Sequence, residues 1–382
     1  MLCLSKMFVK KLLFVVNAPE FFLSHRLPIA LAARQAGYEV HVATAAGGGV
    51  RNILELGFDH HVIPLARSGQ NPFREIRSIF AIYQLFSELK PDLVHLITIK
   101  PLLYGGIAAK LAGVRATVAA VSGLGTVFMD VGAARVRRWL VSLLYRLALS
   151  QNRLSVIFQN PDDRNALLKL GALRQAEVRM IRGSGVDLGG YSLLPEPEGT
   201  PVVAMASRLL RDKGVFEFVE AARLLEERGV LVRMRLIGSV DSGNPSSVTE
   251  EQVTSWRKEG VVELPGYRSD IAAEYAASHI VCLPSYREGL PKGLVEAAAC
   301  GRAVVTTDVP GCRDAIEPEV TGVLVPVKNS VALADAIQIL VNCRERRIQM
   351  GRAGRELAER EFAIEKIVDQ HLNIYRELLS NV

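Results

Sequence analysis

Hydrophobic positions follow one pattern along most of the chain. Short runs of consecutive apolar residues alternate with longer segments in which apolar residues recur at helical spacing. In the first half the apolar runs are Leu12–Val16, Val40–Ala43, Leu93–Leu96, Thr117–Val121 and Ser155–Phe158. Such runs predict strands that are buried on both faces, and their alternation with helices indicates a parallel sheet with helices on both sides.

The same alternation starts again after residue 180. The second set of predicted strands is Val202–Ala206, Arg233–Ile237, Val261–Leu264, Ile280–Leu283 and Ala303–Thr306. The turn-rich segments 183–185 and 194–199 connect the two sets. We therefore predict an α/β protein with two Rossmann-like, doubly wound domains, residues 1–182 and 183–363. The last helix, within residues 364–382, is expected to pack back on the first domain.

Composition narrows the class of protein. The chain has 382 residues, of which 49% are hydrophobic and 23% charged, so it is neither disordered nor collagen-like. Five widely spaced cysteines without a CxxC pair predict neither a zinc site nor a disulfide framework, and they fit a reducing cytoplasm. We expect no membrane-spanning helix, because no stretch of about 18 uncharged apolar residues occurs.

Charge is distributed unevenly between the two halves. Residues 1–180 contain 22 basic and 11 acidic side chains, whereas the remainder contains 24 and 29. The first half therefore suits an anionic partner: a nucleic acid, a phosphorylated substrate or a membrane surface. Basic helices that are merely solvated are the alternative. A nucleic-acid partner is disfavoured, because only 6% of residues are aromatic and no recognition motif is present.

Two loops after predicted strands carry candidate chemistry. The loop after Val202–Ala206 contains Arg208 and Lys213 just before a helix, where fixed cations and free N–H groups favour a diphosphate. Taken alone, it could equally be an exposed basic turn. The loop after Ile280–Leu283 places Glu288 before a helix and Glu296 eight residues later. A carboxylate can accept hydrogen bonds from two sugar hydroxyls; alternatively, the first stabilises the helix dipole and the second is a surface residue.

Between the two glutamates stands a short turn. Gly289 allows close approach of the backbone to a ligand, Leu290 follows it, and Pro291 suits the first turn of a helix. The N–H groups of that helix would then face an anion, so we assign these three residues to the same ligand as the glutamates.

Together these motifs, SRLLRDKG and EGLPKGLVE, resemble the signature of retaining GT-B glycosyltransferases over nearly the whole chain. The resemblance implies that Arg208 and Lys213 neutralise the diphosphate of a nucleotide-sugar donor. It places Glu288 beside the transferred sugar without making it a nucleophile, and Glu296 on the ribose. It also implies that the turn at Gly266 and Arg268 meets the base, that no metal or other cofactor is needed, and that the two domains face a central cleft.

The first half is similar to a bacterial subgroup that builds lipid-linked oligosaccharides for capsules, O-antigens and glycoprotein glycans. The stretches FFLSHRLPIALA, VHLITIKPLLYGG and VSGLG carry this resemblance. It implies a hexose or N-acetylhexosamine donor, linked to UDP or, as the alternative, to GDP, and a polyprenyl-diphosphate-linked glycan acceptor. We expect Lys100 on the acceptor side, and either His25 or His95 to orient the acceptor hydroxyl. Either histidine could instead be satisfied within the fold.

A basic segment near residue 140 indicates where a membrane would be met. Arg135 and Arg138 share one arc of a predicted helix, and Trp139 stands beside them. Such a helix suits an anionic membrane surface, although a buried helix with a basic solvent face is the alternative. We therefore expect a cytoplasmic enzyme, peripheral at the inner face of the cell membrane. A sugar-nucleotide epimerase, which would need no acceptor, is the alternative function.

Overall fold

The computed structural model describes residues 9–65, 72–124, 135–173 and 177–380. The chain divides into two compact units. The first comprises the described residues up to Ile181 together with those from Ile367 onward, and the second is Arg182–Lys366. The C-terminal segment therefore belongs to the first unit, which the chain leaves after residue 181 and re-enters at residue 367.

A parallel sheet forms the centre of the first unit. Its strands are β1 (Lys11–Val16), β2 (Glu39–Thr44), β3 (Asp59–Val62), β4 (Leu93–Ile97), β5 (Ala116–Val121), β6 (Leu154–Phe158) and β7 (Glu177–Met180). They lie in the order β3-β2-β1-β4-β5-β6-β7, and all pairs are parallel. The five strands predicted for this half are confirmed. Strands β3 and β7 were not predicted.

Helices cover both faces of this sheet. They are α1 (Pro19–His25), α2 (Leu27–Gln35), α3 (Val50–Glu55), α4 (Pro72–Leu89), α5 (Gly106–Ala112), α6 (Arg135–Ala148), α7 (Pro161–Lys169) and the C-terminal α14 (Ile364–Ser380). Alternate residues of β1 point to opposite faces: Leu13 packs with α4, α5 and α6, whereas Phe14 packs with α2 and α14. The continuous apolar character of the strands follows from this double coverage.

The second unit repeats the arrangement with six strands. They are β8 (Val202–Ala206), β9 (Arg233–Ile237), β10 (Glu263–Gly266), β11 (Ile280–Leu283), β12 (Ala303–Thr307) and β13 (Gly322–Val325), in the order β10-β9-β8-β11-β12-β13. The helices are α8 (Val215–Glu227), α9 (Glu250–Glu259), α10 (Ile271–Ala276), α11 (Lys292–Ala299), α12 (Ser330–Asn342) and α13 (Arg344–Leu357). β10 lies two residues beyond its predicted position, and β13 was not predicted.

Strand order determines which loops come together. In the first unit the order reverses between β1 and β4, and in the second between β8 and β11. In open α/β sheets, ligands bind outside the carboxyl ends of the strands at such a reversal. The candidate residues after β8 and β11 therefore stand side by side in the second unit, as do the loops after β1 and β4 in the first.

Candidate functional site

A cation and a carboxylate meet at the reversal point of the second unit. Lys213 ends a short 3-10 turn after β8, and its Nζ lies 2.5 Å from Oε1 of Glu288, which follows β11. Ser285 Oγ donates to the same carboxylate oxygen at 2.6 Å. The side chains of Lys213 and Glu288 are only 23% and 13% exposed. The fold thus holds a largely buried ion pair, and the ammonium has three N–H donors, more than this contact uses.

Glycine makes this meeting possible. Gly214 has φ 78° and immediately precedes α8. A Cβ at this position would overlap the carbonyl oxygen of Pro284, so the loop after β8 can lie against the loop after β11 only because residue 214 has no side chain. The DKG sequence therefore has a packing reason as well as a chemical one.

Arg208, the second predicted cation, has a different partner. Its Nη1 lies 2.8 Å from Oδ2 of Asp241, and its side chain is 60% exposed. Asp241 lies in the loop after β9, and sequence reasoning missed it because 33 residues separate the two. The two cations therefore pair with different carboxylates. Arg208 pairs with one in the loop after β9, and Lys213 pairs with one in the loop after β11. A role for Arg208 on a phosphate stays a prediction.

Glu296 is fixed by contacts that sequence reasoning did not identify. It lies in α11 and is 6% exposed. Its Oε1 accepts a hydrogen bond from Tyr191 Oη at 2.5 Å and lies 3.1 Å from Lys292 Nζ. Burial, followed by the negative charge of Glu296, raises the pKa of Tyr191, which keeps the phenol protonated as a donor. Lys292 could have been found from its i,i+4 spacing, but Tyr191 is 105 residues away.

The Gly-Leu-Pro turn packs against the loop after β12. Glu288 N donates to Pro310 O at 3.1 Å, and a Cβ at Gly311 would overlap the backbone of Glu288 and Gly289. Leu290 is buried. Pro291 is the N-cap of α11, one position before the first helical residue. The turn therefore holds the two glutamates at either end of one rigid segment.

A small pocket opens at the ends of three neighbouring strands. It has a volume of about 160 Å³, and its lining includes Leu209 after β8, Gly238 after β9 and Gly266 at the end of β10. Gly266 has φ 78°, and its carbonyl accepts from Gly238 N at 3.0 Å. Arg268 does not line this pocket; its Nε lies 3.3 Å from Glu274. Its lining is partly apolar, with Leu264, and partly charged, with Arg257.

The two histidines of the first unit have different surroundings. His25, at the end of α1, stacks on Phe21 with ring centroids 4.1 Å apart and bonds through Nδ1 to Ser24 Oγ at 2.7 Å. His95 lies in the middle of β4 and is 0% exposed. Its Nδ1 shares a hydrogen bond of 2.7 Å with the hydroxyl of Tyr375 in α14.

The position of His95 corrects the expectation that its ring is available to orient an acceptor hydroxyl. Because alternate residues of a strand point to opposite faces, its ring points into the core between the sheet and α14. Burial above all lowers its pKa well below 6.5, so the ring is neutral. Without exposed surface it cannot touch an acceptor in this structure. The acceptor role for His95 is therefore not retained, and His25 stays a prediction.

Lys100 lies just before a π-helical turn, Pro101–Gly105, that leads into α5. Its Nζ is 2.8 Å from Oε1 of Glu75 in α4. The hydroxyl of Tyr104 also bonds to Glu75, and burial together with this carboxylate raises the pKa of Tyr104. The structure thus ties the candidate acceptor lysine to α4, a contact that the sequence interpretation did not include.

The predicted basic helix exists as α6, but the side chains of Arg135 and Arg138 lie outside the described residues. Trp139 is 62% exposed, and Leu143 and Leu147 continue the same exposed face at i+4 and i+8. In the part of the chain that the structure describes, no helix has both the length and the apolarity needed to cross a bilayer.

Comparison with known protein families gives two matches. Residues 194–357 match the model described as "Glycosyl transferases group 1", and residues 11–160 match "Glycosyl transferase 4-like". The two matches fall in different units of the structure and together take in most of the chain.

Two curated proteins are similar over nearly their whole length. The N,N'-diacetylbacillosaminyl-diphospho-undecaprenol alpha-1,3-N-acetylgalactosaminyltransferase of Campylobacter jejuni is 29% identical over 94% of this chain and 99% of its own. The UDP-Gal:alpha-D-GlcNAc-diphosphoundecaprenol alpha-1,3-galactosyltransferase of Escherichia coli is 22% identical over 90% of each. Neither is an epimerase, so these comparisons give the epimerase alternative no support.

Solved structures show the same fold. Anabaena Alr3699/HepE, solved in complex with UDP and glucose, superposes with a TM-score of 0.74 and 22% identity, covering 98% of this chain and 100% of that one. The predicted GT-B class, with two parallel sheets flanked by helices, is confirmed.

Proposed function

Because residues 194–357 match the group 1 glycosyl transferases and residues 11–160 match the glycosyl transferase 4-like model, we propose that the chain moves a hexose or N-acetylhexosamine from a UDP-sugar to a polyprenyl-diphosphate-linked glycan. The pairing of Lys213 with Glu288 at the reversal point of the second sheet is the observation that carries this proposal. The names of the similar bacterial enzymes supply the donor and acceptor classes.

The donor is assigned to the second unit. Lys213 and Arg208 bind the diphosphate, Glu296 accepts from the ribose hydroxyls, and the pocket beside Gly266 takes uracil. Glu288 lies beside the transferred sugar, where its carboxylate orients hydroxyls. Each of these residues stands at a motif position and has the surroundings described above. The lysine contributes most to the reaction, because negative charge develops on the diphosphate as the sugar departs.

The reaction breaks the bond between the anomeric carbon and the diphosphate oxygen and forms a bond from that carbon to an acceptor hydroxyl. The departing phosphate takes the hydroxyl proton on the same face, so configuration is retained. Oε1 of Glu288 is already engaged by Lys213 and Ser285, which suits an electrostatic and positioning role. We propose that the step needs no metal, since Lys213 and N–H groups supply the stabilisation.

A lipid-linked acceptor requires contact with a membrane, and we assign this contact to the first unit at the inner face of the cell membrane. The exposed face of α6 with Trp139, together with exposed Phe73, Ile76 and Phe80 of α4, supports the assignment. Replacing Arg135 and Arg138 with Glu should release the protein from anionic liposomes. Unchanged binding would move the contact elsewhere.

Nucleotide binding tests the donor assignment. Calorimetry without metal should show micromolar binding of UDP, weaker binding of GDP, and weakened UDP binding in Lys213→Ala. Arg228→Ala is a matched control, because this basic residue of the second unit pairs with Asp335. Equal affinities of wild type and Lys213→Ala for UDP would refute the phosphate assignment.

A further inference from the structure

The first unit contains a larger pocket that none of the motifs identified. Its volume is about 540 Å³, and it lies between the segment after β3 and the first two turns of α4. One wall is apolar and consists of Ala45, Ala46 and residues 62–65. The opposite wall is helix α4, which contributes Arg74, Glu75, Arg77 and Ser78. The pocket therefore combines an apolar interior with a basic margin.

The helix wall is held in place by a buried hydroxyl. Ser78 is 2% exposed, and its Oγ donates to Pro64 O at 2.5 Å and to Arg74 O at 3.0 Å. This hydrogen bond joins α4 to the segment after β3 beneath the pocket. The two walls are thus fixed relative to each other within one unit.

The charges at the margin do not cancel. Glu75 is neutralised by Lys100 at 2.8 Å. Arg74 and Arg77 are exposed, three residues apart on one side of α4, and within the described residues neither is paired with a carboxylate. Two unpaired guanidinium groups beside a neutralised acid attract an anion with two or more charges, and their planar donors suit phosphate oxygens.

The outer surface of the same helix is apolar. Phe73, Ile76 and Phe80 are 83%, 63% and 57% exposed. Arg77 lies between this apolar surface and the pocket, so a ligand held at the arginines has apolar protein on both sides. An anionic group joined to a long hydrocarbon chain matches this arrangement of arginines between two apolar surfaces. A fully polar ligand would make no favourable contact with the apolar walls.

We propose that this pocket, bounded by Arg74 and Arg77, binds the diphosphate of an isoprenoid-linked molecule and the isoprenyl carbons next to it. The arginines take the diphosphate, and the apolar wall from Val62 to Leu65 takes the first isoprenyl units. The site binds the lipid end of the acceptor and takes no part in bond making. Its identification as an acceptor subsite rests on the proposed function, whereas its affinity for a prenyl diphosphate can be measured independently.

The test uses farnesyl diphosphate, farnesol and inorganic pyrophosphate as probes, with the full-length protein saturated with UDP so that the donor site is filled. Farnesyl diphosphate should bind wild type, and Arg74→Ala/Arg77→Ala should weaken it roughly a hundredfold, about tenfold for each charged contact. Arg51→Ala removes another exposed arginine of this unit and is the control, expected to bind as wild type does. Val62→Asn, which makes the apolar wall polar without adding a charge, should weaken the binding of farnesyl diphosphate but not that of pyrophosphate.

Two results would overturn the inference. Undiminished binding of farnesyl diphosphate to the double variant would place the lipid elsewhere. Equal affinity for pyrophosphate and farnesyl diphosphate would reduce the pocket to a simple anion site. Failure of UDP to bind wild type would instead count against the proposed function. Binding of the prenyl diphosphate would then be measured in proteins that also carry Lys213→Ala, so that the assigned donor site cannot account for it. In turnover, the double variant should raise the acceptor KM and leave the donor KM unchanged.

Discussion

The contact between α14 and the sheet of the first unit predicts a loss of stability in mild acid. His371 of α14 is 1% exposed, and its Nδ1 donates to Ile367 O at 2.7 Å. Burial, more than the nearby Arg26 guanidinium, lowers the pKa of His371 to about 3. Neutral His95 and Tyr375 also face this ring, and among the described residues no carboxylate bonds to its Nε2.

The direction follows from the two states. In the unfolded chain a histidine has a pKa of about 6.5, so between about pH 6.5 and 3 the unfolded state binds a proton that the folded state does not. Stability is complete above pH 6.5 and falls as the pH decreases through this range. For His371 alone, lowering the pH from about 7 to about 5 costs about 2 kcal/mol.

Hydrogen exchange of the α14 amides, corrected for the intrinsic exchange rate at each pH, measures the free energy of opening. The difference between wild type and His371→Leu should change by about 2 kcal/mol between about pH 7 and pH 5. Gln370→Ala, an exposed change on the same helix, should show the same pH dependence of the opening free energy as wild type. If wild type and His371→Leu showed the same pH dependence of the opening free energy, the conclusion that buried His371 destabilises the helix contact in acid would be wrong.

Three further predictions concern the second unit. Lys213→Ala should lower kcat by about 10²–10³ with the fold unchanged by circular dichroism, because it removes stabilisation of the leaving diphosphate; near-normal turnover would contradict this. Tyr191→Phe should weaken UDP binding about tenfold and lower the ratio of the affinities for UDP and 2′-deoxy-UDP, because Glu296 loses a hydrogen bond. An unchanged ratio would show that Tyr191 does not support the donor site. Gly214→Ala should destabilise the unit by more than about 2 kcal/mol in urea unfolding, since its Cβ meets the backbone of Pro284; a neutral change would contradict the packing argument.

Strands that are buried on both faces could be predicted from sequence, whereas the edge strands β3, β7 and β13 could not; β10, also an edge strand, was predicted two residues early. β1, β4 and β8 are continuous apolar runs because helices cover both sides of them. β3, with the sequence Asp-His-His-Val, pairs on one side only, with β2, and is largely solvated. Its polar residues therefore give no apolar run. β13 also pairs with a single strand; it is apolar, but it starts at Gly322 and is four residues long.

Site residues could be predicted where a motif is local. Lys213 and Glu288 stand in short recognisable segments, and the reversal of strand order places them in contact. Their neighbours could not be found in this way, because the contact of Tyr191 with Glu296 depends on the tertiary fold. For His95 the strand was predicted correctly, but the surroundings of its side chain were not. They depend on α14, which covers that face of the sheet and is distant in sequence.

The most direct test of the account is transfer itself. Purified protein is incubated with UDP-linked hexoses and N-acetylhexosamines, each with and without a short-chain polyprenyl-diphosphate-linked N-acetylhexosamine and with a metal chelator present. The account predicts that at least one donor releases UDP only when the acceptor is present, and that the glycolipid product keeps the anomeric configuration of the donor. Inversion of that configuration, or conversion of a UDP-sugar to another one without acceptor, would contradict it.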